Sequence, residues 1–145
     1  VQRIGNYAFS STALKEVNLE KIIRISSYAF ANCEKLKTVK LGNNLKKISK
    51  CAFENCKSLS KINLENIEAI KERAFENCTA LKSINLISIK EIDKGAFKGC
   101  TGLKTVTLPQ NEKAAEMKEI ILKQSGKKEK DIKFINSLEP AEQKK

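Results

Sequence analysis

The sequence contains no histidine. That removes the usual general base, the Ser-His and Cys-His nucleophile pairs and most zinc sites. It also lacks any apolar run near the roughly 18 residues that a spanning helix needs, and it shows no basic-then-apolar leader. It opens without methionine, three residues before a complete repeat, which is the expected look of a mature or trimmed fragment. Arginine is scarce: Arg3, Arg24 and Arg73 stand among 28 basic residues, so the net charge of +11 is mostly lysine. Residues 1–108 carry +9 of that charge, spread over several positions and interleaved with glutamate, which reads as a solvated lysine-rich surface more readily than as a phosphate-binding stripe. Carboxylates at matching offsets, such as Glu16 with Glu20 and Glu54 with Glu76, lie in a single coil or are spaced by the repeat and are not gathered into a pocket, and nothing supplies a nucleophile, base and orienter. No catalysis, metal or cofactor is expected.

What is present is periodicity. Ile70 to Leu86 reads IKERAFENCTALKSINL, and its pattern of Ile, then Ala-Phe, Cys, Leu, Ile/Val and Leu recurs from Ile4, Ile25, Ile48 and Ile92. The phenylalanines Phe9, Phe30, Phe53, Phe75 and Phe97 are 21, 23, 22 and 22 residues apart, a spacing that signals a solenoid. In each copy an inward pair (Val17 and Leu19, Val39 and Leu41, Ile62 and Leu64, Ile84 and Leu86, Val106 and Leu108) alternates with polar residues, which predicts one strand per copy. Stacking the copies predicts a continuous five-stranded parallel face with about 4.8 Å between strands. The Ala-Phe pair is expected on the opposite side, small beside large, so that coils stack. Only the second copy carries an extra residue, within Gly42-Asn43-Asn44.

Cys33, Cys56, Cys78 and Cys100 share one column; in the first copy Ser11 or Thr12 fills it. Four thiols in a row along the axis suit neither a tetrahedral zinc site nor disulfide torsions, so they are expected to be buried between turns. Cys51 lies off the column, with Tyr7, Tyr28, Arg73 and Gly95 as equivalents, and is expected to be the accessible thiol. Asn32, Asn55 and Asn77 are expected to tie backbone groups of successive coils. After Pro109 the period breaks. Asn111 is the expected cap of a helix from Glu112 to Lys123, stopped by Ser125-Gly126, and 131–135 alternates as a last strand or an end cover.

Taken together, Ile4-Gly5, Ala8-Phe9, the cysteine column and Leu108-Pro109 resemble the BspA-like class of leucine-rich repeats. The resemblance implies an α/β, right-handed leucine-rich-repeat solenoid with a parallel sheet on one face, five coils and a C-terminal helix-strand cap. Its divisions would be 1–108 for the repeats, 109–136 for the cap and 137–145 for a flexible tail. It further implies an extracellular or cell-surface, secreted location and a role in adhesion or protein recognition, with a host or matrix protein as partner. The outward strand positions run Glu16, Thr38, Lys61, Ser83, Thr105 and Asn18, Lys40, Asn63, Asn85, Thr107. The candidate partner-binding residues are Thr38, Lys40, Lys61, Asn63, Ser83, Asn85, Thr105 and Thr107. Two alternatives remain: binding of an anionic polymer (glycan, wall polymer or nucleic acid) through the basic surface, and a structural spacer in a longer array. A monomer is the expected state.

Overall fold

A computed structural model describes residues 2–136; the segment 137–145, expected as a tail, lies outside the described residues. The inward hydrophobic pairs mark one set of strands, four of which are three or four residues long and are called the longer strands together with the two-residue β6: β2 (Glu16–Leu19), β4 (Thr38–Leu41), β6 (Lys61–Ile62), β8 (Ser83–Asn85) and β10 (Thr105–Leu108), with Leu64 and Leu86 just beyond β6 and β8. A second set of two-residue strands, not foreseen from the sequence, runs through the isoleucine column: β1 (Arg3–Ile4), β3 (Arg24–Ile25), β5 (Lys47–Ile48), β7 (Ala69–Ile70) and β9 (Glu91–Ile92). In each, the isoleucine is buried and the residue before it faces outward or is half-buried. All pairings are parallel and join equivalent residues of neighbouring coils, such as Val17 with Val39 and Ile48 with Ile70.

The expected continuous five-stranded face is corrected in one respect. The ladder is interrupted between β6 and β8, giving β2-β4-β6 and β8-β10-β11. The alternation of 131–135 does supply a last strand, β11 (Lys133–Asn136), which pairs with β10. Asn63 accounts for the short β6: its side-chain amide accepts from the Leu41 N–H at 2.7 Å and donates to the Leu41 carbonyl at 2.9 Å, turning this segment toward β4.

The core is one continuous column. Successive phenylalanine rings stack at 5.4–5.6 Å with nearly parallel planes, and Phe30, Phe53, Phe75 and Phe97 are fully buried. Each column cysteine donates its S–H to a carbonyl of the coil before it: Cys33 to Phe9, Cys56 to Phe30, Cys78 to Phe53 and Cys100 to Phe75, at 3.0–3.2 Å. A small side chain with a long C–S bond both fills the space and satisfies a buried acceptor. Thr12 takes this place in the first coil, with its hydroxyl 3.4 Å from Cys33 Sγ. Ser11 takes the asparagine's place.

Two columns adopt left-handed backbone: Tyr7, Tyr28, Cys51, Arg73 and Gly95, and then Ser11, Asn32, Asn55, Asn77 and Gly99. Asparagine tolerates this conformation better than most residues. The expectation that these asparagines bond to backbone is corrected, because their amides bond to each other. Asn55 donates to Asn32 at 2.8 Å and Asn77 donates to Asn55 at 2.9 Å. Gly99 ends the ladder, since a Cβ there would lie 2.3 Å from Asn77 Oδ1.

The helix α1 spans Ala114–Ser125, two residues later at both ends than expected. Lys113 is the N-cap; Asn111 instead accepts the Lys113 N–H on its side chain and the Ala114 N–H on its carbonyl. Gly126, left-handed, closes the helix with its N–H on the Leu122 carbonyl. The helix covers the last coil with Met117 and Ile121, both buried. Gln124 then completes the coil's hydrogen bonds. The N–H of Phe9, Phe30, Phe53 and Phe75 each reaches the alanine carbonyl of the next coil; after the last such coil Gln124 Oε1 accepts from Phe97 N–H at 2.9 Å, and its Nε2 donates to the Asp93 carbonyl. At the opposite end Phe9 is 40% exposed beside Ile4, Leu14, Val17 and Ile22.

Candidate functional site

The outward residues of the longer strands form two registered columns. One joins Glu16, Thr38 and Lys61, and beyond the interruption Ser83, Thr105 and Lys133. The other joins Asn18 to Lys40, and Asn85 to Thr107 and Ile135. The last strand, one of the two roles the alternation of 131–135 left open, thus adds Lys133 and Ile135 to these columns.

The eight candidates fall into two groups. Lys40 is paired with Glu20 at 3.2 Å, and Glu20 also accepts from Asn18. The Asn18 amide, and then Lys40, hold the Glu20 carboxyl below its ordinary range. Both partners of this pair are exposed, so solvent screening leaves it little to add to stability. Asn63 is committed to the Leu41 backbone, and Asn85 Oδ1 accepts from Ile87 N–H at 3.0 Å, which fixes the following turn. These three residues build the face or are already satisfied by it.

Thr38, Lys61, Ser83, Thr105 and Thr107 make no side-chain hydrogen bond or ion pair among the described residues. Thr38, Lys61 and Ser83 meet with Lys40 and Ser60 around a shallow depression of about 470 Å³, floored by Val39 and Ile62, where β6 parts from β8. Short hydroxyls and one uncompensated ammonium over an apolar floor suit hydrogen bonding to a protein backbone or side chain.

The other side chains singled out in the sequence lie elsewhere. Cys51 is not the accessible thiol: it is fully buried, with the Tyr28 hydroxyl against it, and burial pushes its thiol up. All five cysteines are buried and free. Burial pushes Cys56 and Cys100 up to about 12 and Cys78 well above its ordinary value. Glu54 and Glu76, spaced by the repeat, are neighbours on adjacent coils. Burial, and then the neighbouring Glu76 charge, raises the Glu54 carboxyl. No cluster of three potential metal ligands and no membrane-spanning helix occurs among the described residues.

Parallel strands one coil apart, with leucine, phenylalanine, cysteine and asparagine each stacked in its own column, define a leucine-rich-repeat solenoid. The chain belongs to the BspA type leucine rich repeat family, six copies of which match residues 2–137. Among solved structures it is similar to a leucine rich cell surface protein from Faecalibacterium prausnitzii A2-165, with 30% identity, a TM-score of 0.69, and 77% of this chain and 32% of that one covered. It is similar also to the pneumococcal vaccine antigen PcpA (27% identity, TM-score 0.63, 68% and 25% covered). A leucine-rich repeat protein from Bacteroides ovatus ATCC 8483 gives 27% identity, a TM-score of 0.58, and coverage of 92% and 45%. The chain therefore spans from a quarter to just under half of the length of these proteins. None of the curated proteins matches it. The family and the similar structures are repeat proteins, and no enzyme family is indicated.

Proposed function

We propose that the chain is a non-catalytic protein-recognition module of a cell-surface or secreted repeat protein, acting in adhesion or partner binding through the outward face of its longer strands. The observation that carries this reading is the depression between β6 and β8, where Thr38, Lys61 and Ser83 stand together without internal partners above Val39 and Ile62. Polar groups left unsatisfied on a rigid sheet cost little to order when a partner docks, because the backbone is already fixed. The cell-surface part of the reading is supported by the family and by the names that the similar proteins carry.

The test is binding to a panel of purified extracellular-matrix proteins at about 0.15 M salt and at several-fold higher salt, where screening extends over less than about 8 Å. Wild type is compared with a Thr38→Ala, Lys61→Glu variant that leaves the Asn63 bonds intact. Salt-resistant binding that the variant loses supports the proposal. Binding that vanishes with salt and is only graded by the variant assigns the interaction to overall charge and sinks it.

A further inference from the structure

The short-strand side of the solenoid is interrupted too, and at a different place. In the second, fourth and fifth coils three backbone N–H groups reach the coil before. Ile23 and Arg24 donate to Gln2 O and Ser26 to Ile4 O; Glu68 and Ala69 donate to Lys46 O and Lys71 to Ile48 O; Lys90 and Glu91 donate to Glu68 O and Asp93 to Ile70 O. In the third coil the equivalents are Lys46, Lys47 and Ser49, and no such bond joins them to the coil before. The Ile25 carbonyl takes the Ser49 hydroxyl instead, and the Ile23 carbonyl is released. The cause lies in the sequence: the turn before this coil holds the one extra residue, so Leu41 and Leu45 are four apart where Leu19 and Ile22, Leu64 and Ile67, and Leu86 and Ile89 are three apart. The extra residue cannot be absorbed inward, because a Cβ at Gly42 would already lie 2.0 Å from the Glu20 carbonyl oxygen.

The gap between β3 and β5 is a depression of about 260 Å³ lined by Ile23, Arg24, Asn44, Lys46, Lys47 and Ser49. No ion pair balances its charge, and the carboxylate that acts on Lys47, Glu91, lies two strands away across Ala69. Arg3 and Arg24 are opposite each other on adjacent strands, an arrangement that repels, and Arg3, Arg24, Lys46, Lys47 and Lys50 make no ion pair among the described residues. Two coils further on, the same face is neutralised: Lys71 has Glu91 at 2.8 Å and Asp93 at 3.7 Å, and Lys90 has Glu68 at 3.6 Å. Free cations therefore gather where the backbone donors have been released.

We propose that this gap is a binding site for an acidic sugar unit, one ring bearing a sulfate or phosphate ester. The oxyanion lies against the N–H groups of Lys46, Lys47 and Ser49, with the Arg24 guanidinium and the Lys47 ammonium completing its shell, the donor set that charge-assisted oxyanion recognition uses. A ring hydroxyl donates to the Ile23 carbonyl, an acceptor that a bare anion would leave unsatisfied. The volume falls below the roughly 300–1,000 Å³ of pockets for drug-sized ligands, which limits the occupant to about one ring. A nucleic acid is disfavoured, because no aromatic ring lines the gap, and Tyr7 and Tyr28 stack on each other at 4.7 Å.

The experiment is an amide-resolved NMR titration of the full chain with glucosamine 6-sulfate and, separately, glucosamine 6-phosphate at constant ionic strength. Neutral N-acetylglucosamine, sodium sulfate and an acidic tetrapeptide are the controls. The site predicts saturable shifts centred on Lys46, Lys47 and Ser49 with one or both charged sugars, and the stronger of the two identifies the ester. It predicts weaker effects from sulfate alone and none from the neutral sugar. An Arg24→Gln, Lys47→Gln variant should bind about ten-fold more weakly or worse, the loss of one or two charge-assisted contacts. Deleting Asn43, which restores the three-residue spacing, should slow exchange of the three amides and abolish binding. Shifts scattered over all lysine-bearing coils, equal response to the peptide, or undiminished binding by the glutamine variant would each overturn the assignment.

Discussion

Truncating Phe53 to alanine tests whether the stacked ring column holds the coils together. Its ring lies between Phe30 at 5.4 Å and Phe75 at 5.6 Å and is fully buried. An aromatic side chain buries on the order of 150–250 Å², which at roughly 25 cal/mol per Å² corresponds to about 4–6 kcal/mol as an upper bound. Partial collapse of the cavity brings the expected loss to about 3–5 kcal/mol. Phe9 provides the internal control, because it has one stacked neighbour and is 40% exposed. Its truncation should cost about 1–2 kcal/mol on the same scale. In a molecule whose coils touch only their neighbours, loss of the central ring should also uncouple the two halves and broaden the transition. Urea unfolding followed by circular dichroism reads both quantities. Equal losses for Phe53→Ala and Phe9→Ala, or a greater loss at Phe9, would refute the reasoning.

Three further outcomes are expected. In the native protein none of the five thiols should react with a thiol reagent at pH 8, and all five should react in denaturant; one fast-reacting native thiol would show that the buried column or Cys51 is open. Because the folded Glu54 carboxyl is raised above its unfolded value, stability present below the unfolded value of about 4.3 is lost as pH rises through the folded one. Glu54→Gln should therefore raise Tm at pH 7 with the gain fading by about pH 4, and a gain independent of pH would contradict this cause. Replacing Asn55, which has φ 61° and joins two amide bonds, with alanine should cost about 2–3 kcal/mol. Glycine at the same position should cost about 1 kcal/mol less, because it accepts the left-handed backbone; equal costs in thermal unfolding would mean that the conformation is unimportant.

The fold was largely legible because each coil must bury the same columns, so isoleucine, phenylalanine, cysteine and leucine repeat at fixed offsets and only one architecture stacks them all. The departures were not legible because they arise between coils. Nothing in the spacing of Asn63 indicates that its amide turns back to the Leu41 backbone and helps part β6 from β8. Alternation placed Lys40, Asn63 and Asn85 outward but could not reveal that a carboxylate or a backbone group already occupies each of them. Cys51 was misread because an exception to a surface column looks exposed, whereas Tyr28 and the turn cover it. The extra residue near Asn43 was visible as a count, and only the lost backbone bonds of the third coil disclosed its consequence. Gln124 gave no signal at all, since its role depends on where α1 docks.

The central claim, recognition through the longer strands, is tested most directly by hydrogen-exchange footprinting of the chain in complex with a matrix protein that the binding panel selects. The account predicts new protection at 38–40, 60–63 and 83–85, extending to 105–107, with the short strands around 24–26 and 47–49 unchanged. Protection confined to the short strands, to the open end around Phe9, or to α1 would contradict it.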